Sequence, residues 1–166
     1  MSRRDRIQEF ANRLHRAVLG VSIALFALMF AAQMVIVLMR YVMGVGFLEL
    51  QDLVTYSFSS LVVLTIPLAM RLDRHVRVDI LRAGFTSRRN ARIDKAGHIV
   101  FTLPVFGLLL WNAGPLVADS WAIFEGSRET GGLGGLFLVK STVIVMSLLV
   151  LFIALTDLTS GERHDG

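Results

Sequence analysis

The chain has 166 residues, of which 54% are hydrophobic and only 18% are charged, and its formal net charge is +4 at pH 7. Soluble domains usually carry about 25% charged residues, so this composition argues against a soluble protein. Without Cys the chain cannot form disulfides, thiolate metal sites or a Cys nucleophile. Basic residues set between apolar runs indicate a membrane surface rather than nucleic acid.

Four long apolar runs predict four membrane spans. A bilayer core of about 30 Å needs about 20 helical residues to cross it. The runs cover residues 17–39, 53–70, 96–118 and 133–155. Apolar and polar residues do not alternate within them, so no run predicts a strand. We therefore predict an all-α integral membrane protein with one membrane domain over residues 1–166, four transmembrane helices and cytoplasmic amphipathic segments.

Basic residues before the first span and between the second and third spans predict the orientation. The segment before the first span carries five arginines, and residues 71–95 carry eight basic residues. The other two loops are acidic or poor in charge. Because excess Lys and Arg stay on the cytoplasmic side, we predict that both termini and the second loop are cytoplasmic.

The N-terminal segment has a helical stripe formed by Ile7, Phe10, Ala11 and Leu14 at i, i+3, i+4 and i+7. Two interpretations stay open. The segment either lies on the inner leaflet as a separate amphipathic helix, or it is an extension of the first span into the cytoplasm. Within the first span, two pairs of small residues spaced by four could let another helix approach closely, namely Gly20 with Ala24 and Ala27 with Ala31.

Lys140 is the one full charge within a span. The apolar stretch after it, residues 141–155, is about 22 Å long as a helix, nearly a full crossing. This length favours Lys140 at the outer interface, where the side chain can snorkel, over a buried ion pair with Asp119 or Glu125. The glycine-rich residues 126–135 lack the GK[ST] ending of a phosphate loop and predict a flexible turn.

No set of residues predicts catalysis or a cofactor. His98 could suggest haem or metal, but no second His lies in a span, so a polar role at a helix interface is favoured. The spans contain no Ser/His/Asp set, paired carboxylates or ligand cluster. We expect neither an enzyme nor a cofactor, and we keep two competing classes, a subunit of a membrane redox enzyme and a self-assembling channel.

Three blocks of the sequence resemble the small membrane subunit of tripartite ATP-independent periplasmic (TRAP) transporters. The first block is Arg40-Tyr41 followed by Leu50-Gln51-Asp52-Leu53, and the second is Arg71 leading to the sequence HVRVDIL at residues 75–81. The third contains Ser120-Trp121, the sequence EGSRE at residues 125–129, Gly131-Gly132-Leu133 and Lys140. Many family members have a Trp and two adjacent acids before the second span, whereas this chain has Glu49, Gln51 and Asp52 there. The third block is similar to the branch associated with keto acids, mannitol and chloroaromatic compounds.

The resemblance implies a three-part importer of organic acids in the bacterial inner membrane, typically driven by a sodium gradient. Its partners would be a large membrane subunit that moves the substrate, a periplasmic substrate-binding protein and the lipid bilayer, with no nucleic acid. The small subunit would act as a scaffold and as a docking surface for the large subunit. The candidate residues for partner contact or membrane anchoring are Arg40, Glu49, Gln51, Asp52, Arg71, His75, Asp79, Glu125, Arg128 and Lys140.

Overall fold

A computed structural model describes residues 3–71, 87–127 and 132–159. The described elements are α1 (Arg3–Leu38) with a π-helical turn (Met39–Met43), α2 (Leu48–Arg71), α3 (Ser87–Gly97) with a π-helical turn (His98–Thr102), α4 (Leu103–Ala122) and α5 (Leu136–Thr159). Within the described residues, four helical stretches are long and apolar enough to cross a membrane: Gln8–Met43, Leu48–Arg71, Lys95–Ala122 and Leu136–Leu158. The predicted all-α membrane fold with four transmembrane helices is confirmed.

The N-terminal stripe belongs to the first membrane helix. Helix α1 runs without a break for 36 residues, or about 54 Å at the helical rise, and so exceeds the bilayer core by several turns. Phe10 of the stripe packs edge-to-face on Phe152 of α5, with ring centroids 5.9 Å apart. Of the two interpretations of this segment, the structure shows the extended first span.

Two π-helical turns occur in the described residues where the regular α-helical hydrogen bonding is interrupted. At the end of α1, Gly44 takes a left-handed φ of 68° and its N–H bonds the carbonyl of Met39, so a glycine ends the helix. Before α4, the N–H of Leu103 bonds the carbonyl of His98. Pro104 follows directly and has no N–H to donate, so the wider turn fits the start of α4 around the proline ring. The chain is therefore helical from Ser87 to Ala122.

Helices α2 and α5 form the centre of the structure. Helix α1 packs on α2, α2 packs on α5, and α5 packs on α4. Val150 and Ala154 of α5 have no exposed surface, and neither does Ser147, whose hydroxyl donates to the carbonyl of Val143 at 2.8 Å. Val18, Leu64, Leu68 and Leu149 join α1, α2 and α5 in one apolar cluster. Helices α1 and α4 lie at the two edges, and most of their apolar side chains are exposed to the surroundings.

The small-residue pairs of α1 do not face α2. Gly20, Ala24, Ala27 and Ala31 are all exposed. The side of α1 that contacts α2 instead buries Val18, Ser22 and Ala32, and α2 buries Ser57 and Ser60. Helices α1 and α2 therefore pack together through small residues other than the predicted pairs.

The antiparallel helices give the molecule two distinct ends. One end holds the last turns of α1 and α4 and the first turns of α2 and α5. We call it the polar end, because its hydrogen bonds join Asp52, Tyr56, Ser120, Glu125, Leu133 and Lys140. The opposite end holds the starts of α1 and α3 and the ends of α2 and α5. We call it the basic end, since Arg6, Arg13, Arg16, Arg71, Arg89 and Arg92 lie there.

Candidate functional site

Lys140 forms a half-buried ion pair at the polar end. Its Nζ lies 2.5 Å from Glu125 Oε2, and the two side chains are 26% and 20% exposed. The same ammonium donates to Ser120 Oγ at 2.9 Å, and the Ser120 hydroxyl donates to Glu125 Oε2 at 2.5 Å. Lys140 is thus near the start of α5, as the length of the following apolar stretch suggested. It nevertheless forms the ion pair with Glu125 that the sequence left as the alternative.

A sharp reversal after α4 brings Glu125 back to Lys140. Phe124 has a φ of 46°, which is rare for a residue with a side chain. The N–H of Glu125 then donates to the carbonyl of Ser120 at 2.9 Å. This turn explains why Glu125, and not the exposed Asp119 within α4, reaches the ammonium. The carbonyl of Glu125 also accepts the N–H of Phe137 at 3.4 Å, so the turn is fastened to α5 as well.

Aromatic side chains pack against one another at this turn. The indole N–H of Trp121 donates to Ser141 Oγ at 2.9 Å. The ring of Phe137 lies edge-to-face against both Trp121 and Phe124, with centroid distances of 4.5 and 5.9 Å. Such ring pairs contribute about 0.5–1.5 kcal/mol beyond their area. They join the end of α4 to the start of α5.

Helix α2 holds the returning end of the loop. Asp52 Oδ2 accepts the N–H of Leu133 at 2.8 Å, and the hydroxyl of Tyr56 donates to the carbonyl of the same residue at 3.0 Å. Asp52 and Tyr56 are four residues apart, so they share one face of α2. Both backbone groups of Leu133 are therefore bound by side chains of one helix.

The two described ends of the glycine-rich loop are hydrogen-bonded to each other. Gly126 and Gly134 form an isolated antiparallel bridge, and the N–H of Ser127 donates to the carbonyl of Leu133 at 3.0 Å. A Cβ added at Gly132 would lie 2.5 Å from Asp52 Oδ2 and would also overlap Ser127 Cβ. The loop was predicted to be a flexible turn, but at residues 126–127 and 132–135 it is a hydrogen-bonded structure that needs glycine for close packing.

The structure brings together three of the predicted site residues, Asp52, Glu125 and Lys140. Arg40, Glu49 and Gln51 are exposed near the same end. Arg71 lies at the opposite end, where its guanidinium donates to the carbonyl of Ala11 and to Asn12 Oδ1 and so joins α2 to α1. His75, Asp79 and Arg128 lie outside the described residues, as does the pairing predicted for Asp79.

His98 occupies a polar position at the basic end. Its Nδ1 lies 3.3 Å from Thr102 Oγ1 and its Nε2 lies 3.9 Å from Asp157 Oδ2. The ring therefore connects the π-helical turn before α4 with the end of α5, which is the kind of role that the sequence favoured.

We call the hydrogen-bonded set Asp52, Tyr56, Ser120, Glu125, Leu133 and Lys140 the polar cluster. Two of its members, Tyr56 and Ser120, were not predicted as site residues. Tyr56 is four residues after Asp52, and this spacing could have indicated a shared partner. Ser120 lies just after the third predicted span, within the block that resembles TRAP subunits, but was not chosen as a site residue. Its role depends on the turn at Phe124, for which the sequence carries no signal.

The arrangement can hold a structure in place rather than perform chemistry. Lys140 and Glu125 neutralise each other, and Asp52 is committed to a backbone N–H. These contacts fix α2, α4 and α5 relative to one another near a membrane boundary, where the backbone of a loop must find partners.

The comparison with known families agrees with the resemblance found in the sequence. The family model described as "Tripartite ATP-independent periplasmic transporters, DctQ component" matches residues 29–163. Neither a curated protein nor a solved structure matches the chain. The matched region contains the complete polar cluster, and the family is a transporter component rather than an enzyme. Since the match covers most of the sequence, the chain belongs to the DctQ family, the small membrane subunits of TRAP transporters.

Proposed function

We propose that this chain is the scaffold subunit of a tripartite secondary importer of organic acids, and that it docks onto the large membrane subunit of the transporter. The polar cluster carries the proposal. It joins α2, α4 and α5 at the polar end through Asp52, Glu125 and Lys140, and these joints favour a rigid body. A static support needs such fixed helices, whereas a subunit that moves substrate needs two global states.

The two edge helices support a docking role. Only 11% of the most apolar 18-residue stretch of Gln8–Met43 is buried inside the chain. For Lys95–Ala122 the buried share is only 6%. In α1, the exposed small residues Gly20, Ala24, Ala27 and Ala31 leave room for the backbone of another helix to approach. Association in lipid depends on such packing, because lipid tails are as apolar as the helices themselves.

We place the polar end in the periplasm and the basic end in the cytoplasm of the bacterial inner membrane. The described arginines of the basic end would then face anionic lipid headgroups, each contributing about 1 kcal/mol. A single Cys can test this orientation, since the chain has no native Cys. Gly46→Cys should react with an impermeant reagent in intact cells, and Arg92→Cys should react only after the inner membrane is opened. The reverse pattern would overturn the orientation.

Uptake into proteoliposomes tests the scaffold role. The small subunit alone should give no sodium-dependent uptake of an organic acid. Uptake should appear when the small and large subunits are combined with a loaded binding protein, and it should fall when the small subunit is omitted. Transport by this chain alone would contradict the proposal. A native mass showing a closed ring of this chain without the large subunit would favour the self-assembling channel.

A further inference from the structure

An open apolar groove lies between α1 and α5 in the half of the molecule next to the basic end. Both helices pack on α2, and the buried Leu149 lies at the bottom of the groove between them. The walls are apolar side chains of the two helices, including Phe10 and Leu14 of α1 and Leu148 and Phe152 of α5. The volume of the groove is about 590 Å³.

The groove is as long as one leaflet of a membrane is thick. Along α5 it extends from Val145 to Leu155, or about 15 Å at the helical rise. A bilayer core is about 30 Å thick, so one leaflet contributes about 15 Å. Leu155 is close to the end of the apolar span Leu136–Leu158, so the groove belongs to the leaflet next to the basic end. A transmembrane helix would need a groove about twice as long, whereas an acyl chain of one leaflet fits this length.

A cation lies at the end of the groove where the headgroup of such a lipid would be. Arg6 is four residues before Phe10, so the two residues share a face of α1. The Arg6 side chain is exposed, and side chains of α1 lean toward its N-terminus, which is at the basic end.

Acidic side chains do not cancel this charge. Glu9 pairs with Arg13 at 2.6 Å, and Asp157 of α5 approaches the π-helical turn before α4 instead of the groove. By sequence, residues 3–13 hold four arginines against two acids, so the start of α1 is cationic as a whole. The groove thus joins an apolar channel of one leaflet's depth to a positive charge at the membrane surface.

We propose that this groove holds one acyl chain of an anionic phospholipid, and that the phosphate of its headgroup pairs with Arg6. The groove supplies apolar contact and the start of α1 supplies the opposite charge. A zwitterionic phospholipid has the same chains but no net charge, so the anionic lipid binds more tightly. The site does not depend on the proposed docking function, because it is formed within this chain and the membrane supplies its ligand.

Lipid binding to the delipidated chain in detergent, followed by native mass spectrometry, tests the role of the charge. Phosphatidylglycerol should bind more tightly than phosphatidylcholine with the same acyl chains. Arg6→Gln should weaken the binding of phosphatidylglycerol about fivefold, which corresponds to about 1 kcal/mol for one cation at an anionic headgroup. Arg92→Gln is the matched control, since Arg92 is an exposed arginine of the basic end on α3. Equal binding of the two lipids, or equal losses in the two variants, would overturn the assignment.

A bulky side chain in the groove gives an independent measurement. Leu148 lines the groove and Leu138 does not, although both lie on α5 and are 52% and 55% exposed. Leu148→Trp should weaken the binding of phosphatidylglycerol, whereas Leu138→Trp should leave it unchanged. Unchanged binding in Leu148→Trp would show that the lipid is held by charge alone and would overturn the groove assignment.

Cross-linking in the co-expressed transporter distinguishes lipid from other occupants of the groove. Leu148→Cys carrying a photoreactive probe should link to phospholipid. Links that reach only the large subunit or only a second copy of this chain would overturn the assignment.

Discussion

The polar end and the basic end hold their helices together by different means. At the polar end, directional hydrogen bonds centred on Asp52, Glu125 and Lys140 join α2, α4 and α5. At the basic end, α1 and α5 meet at Phe10 and Phe152, and an open apolar groove of about 590 Å³ lies beside this contact. The polar links there include Arg71 to α1 and a 3.9 Å approach of His98 to Asp157.

This difference follows from what each end has to accommodate. At the polar end the chain reverses between Ala122 and Leu136 close to a membrane boundary, so the backbone groups of the turn need partners from neighbouring side chains. At the basic end the helices extend beyond the apolar core, where water and headgroups can serve as partners. Single substitutions should therefore disturb the polar end far more than the basic end.

The largest effect is expected from breaking the Lys140–Glu125 pair. Removing one partner of a fully buried pair costs about 3–5 kcal/mol, because the other charge is left unpaired. The Lys140 and Glu125 side chains are still 26% and 20% exposed, so the pair is not fully buried and the cost here is smaller. Lys140→Met should therefore lower the free energy of unfolding in detergent by about 2 kcal/mol.

A double-mutant cycle supplies the control for this prediction. Glu125→Gln should also destabilise, and the double variant should lose less than the sum of the two single variants because the charges then disappear together. Strictly additive losses would show that the two side chains are not coupled and would remove the basis of the proposed rigid body.

A methyl group at Gly132 should give the next largest effect. A Cβ there would lie 2.5 Å from Asp52 Oδ2 and overlap Ser127 Cβ. Overpacking costs about 1–3 kcal/mol in a buried core, and this loop is only partly buried, so Gly132→Ala should lower the melting temperature in detergent by an amount at the lower end of that range. Gly134→Ala is the matched control in the same loop, since nothing lies within 4 Å of its added Cβ. Equal melting temperatures for the two variants would contradict the close packing of the loop on α2.

The polar cluster was only partly predictable from the sequence. Asp52, Glu125 and Lys140 could be chosen because they lie in the blocks that resemble TRAP subunits. Their pairing could not be decided, because it depends on the left-handed φ of Phe124 and on the close approach of Gly132. Neither feature follows from an apolar pattern. The sequence therefore favoured Lys140 at the interface and left its ion pair with Asp119 or Glu125 as the alternative.

The helices themselves were predictable for a physical reason. In lipid every backbone group must find a partner within the protein, which a helix or a closed barrel provides, and apolar runs of about 20 residues without alternation fit only the helix. The sequence could not tell whether residues 3–16 continue the first span, because a charged, amphipathic stretch is compatible with a helix in either position. The contacts that decide it, Phe10 with Phe152 and Arg71 with Ala11, join residues far apart in the chain.

Replacement of Arg71 tests the strongest polar link of the basic end. Arg71→Met keeps most of the apolar stem but loses the donors to the Ala11 carbonyl and to Asn12 Oδ1. Because water can replace these partners at the membrane surface, we expect a loss of about 1 kcal/mol in the free energy of unfolding. Arg40→Met is the control, since Arg40 is an exposed arginine at the polar end. A loss larger than that caused by Lys140→Met would reverse the comparison of the two ends.

The smallest effect is expected for Asp157→Asn, which removes a charge with little change of shape. Asp157 Oδ2 is 3.9 Å from His98 Nε2, and the Asp157 side chain is 50% exposed. Exposed pairs contribute about 0–1 kcal/mol, so the free energy of unfolding should change by no more than about 0.5 kcal/mol. Added salt should reduce even this difference, because exposed charges are screened. Glu125→Gln is the matched substitution at the polar end, where the carboxylate binds both Lys140 and Ser120. Its loss should exceed that of Asp157→Asn at every salt concentration, and equal losses would show that burial does not distinguish the two ends.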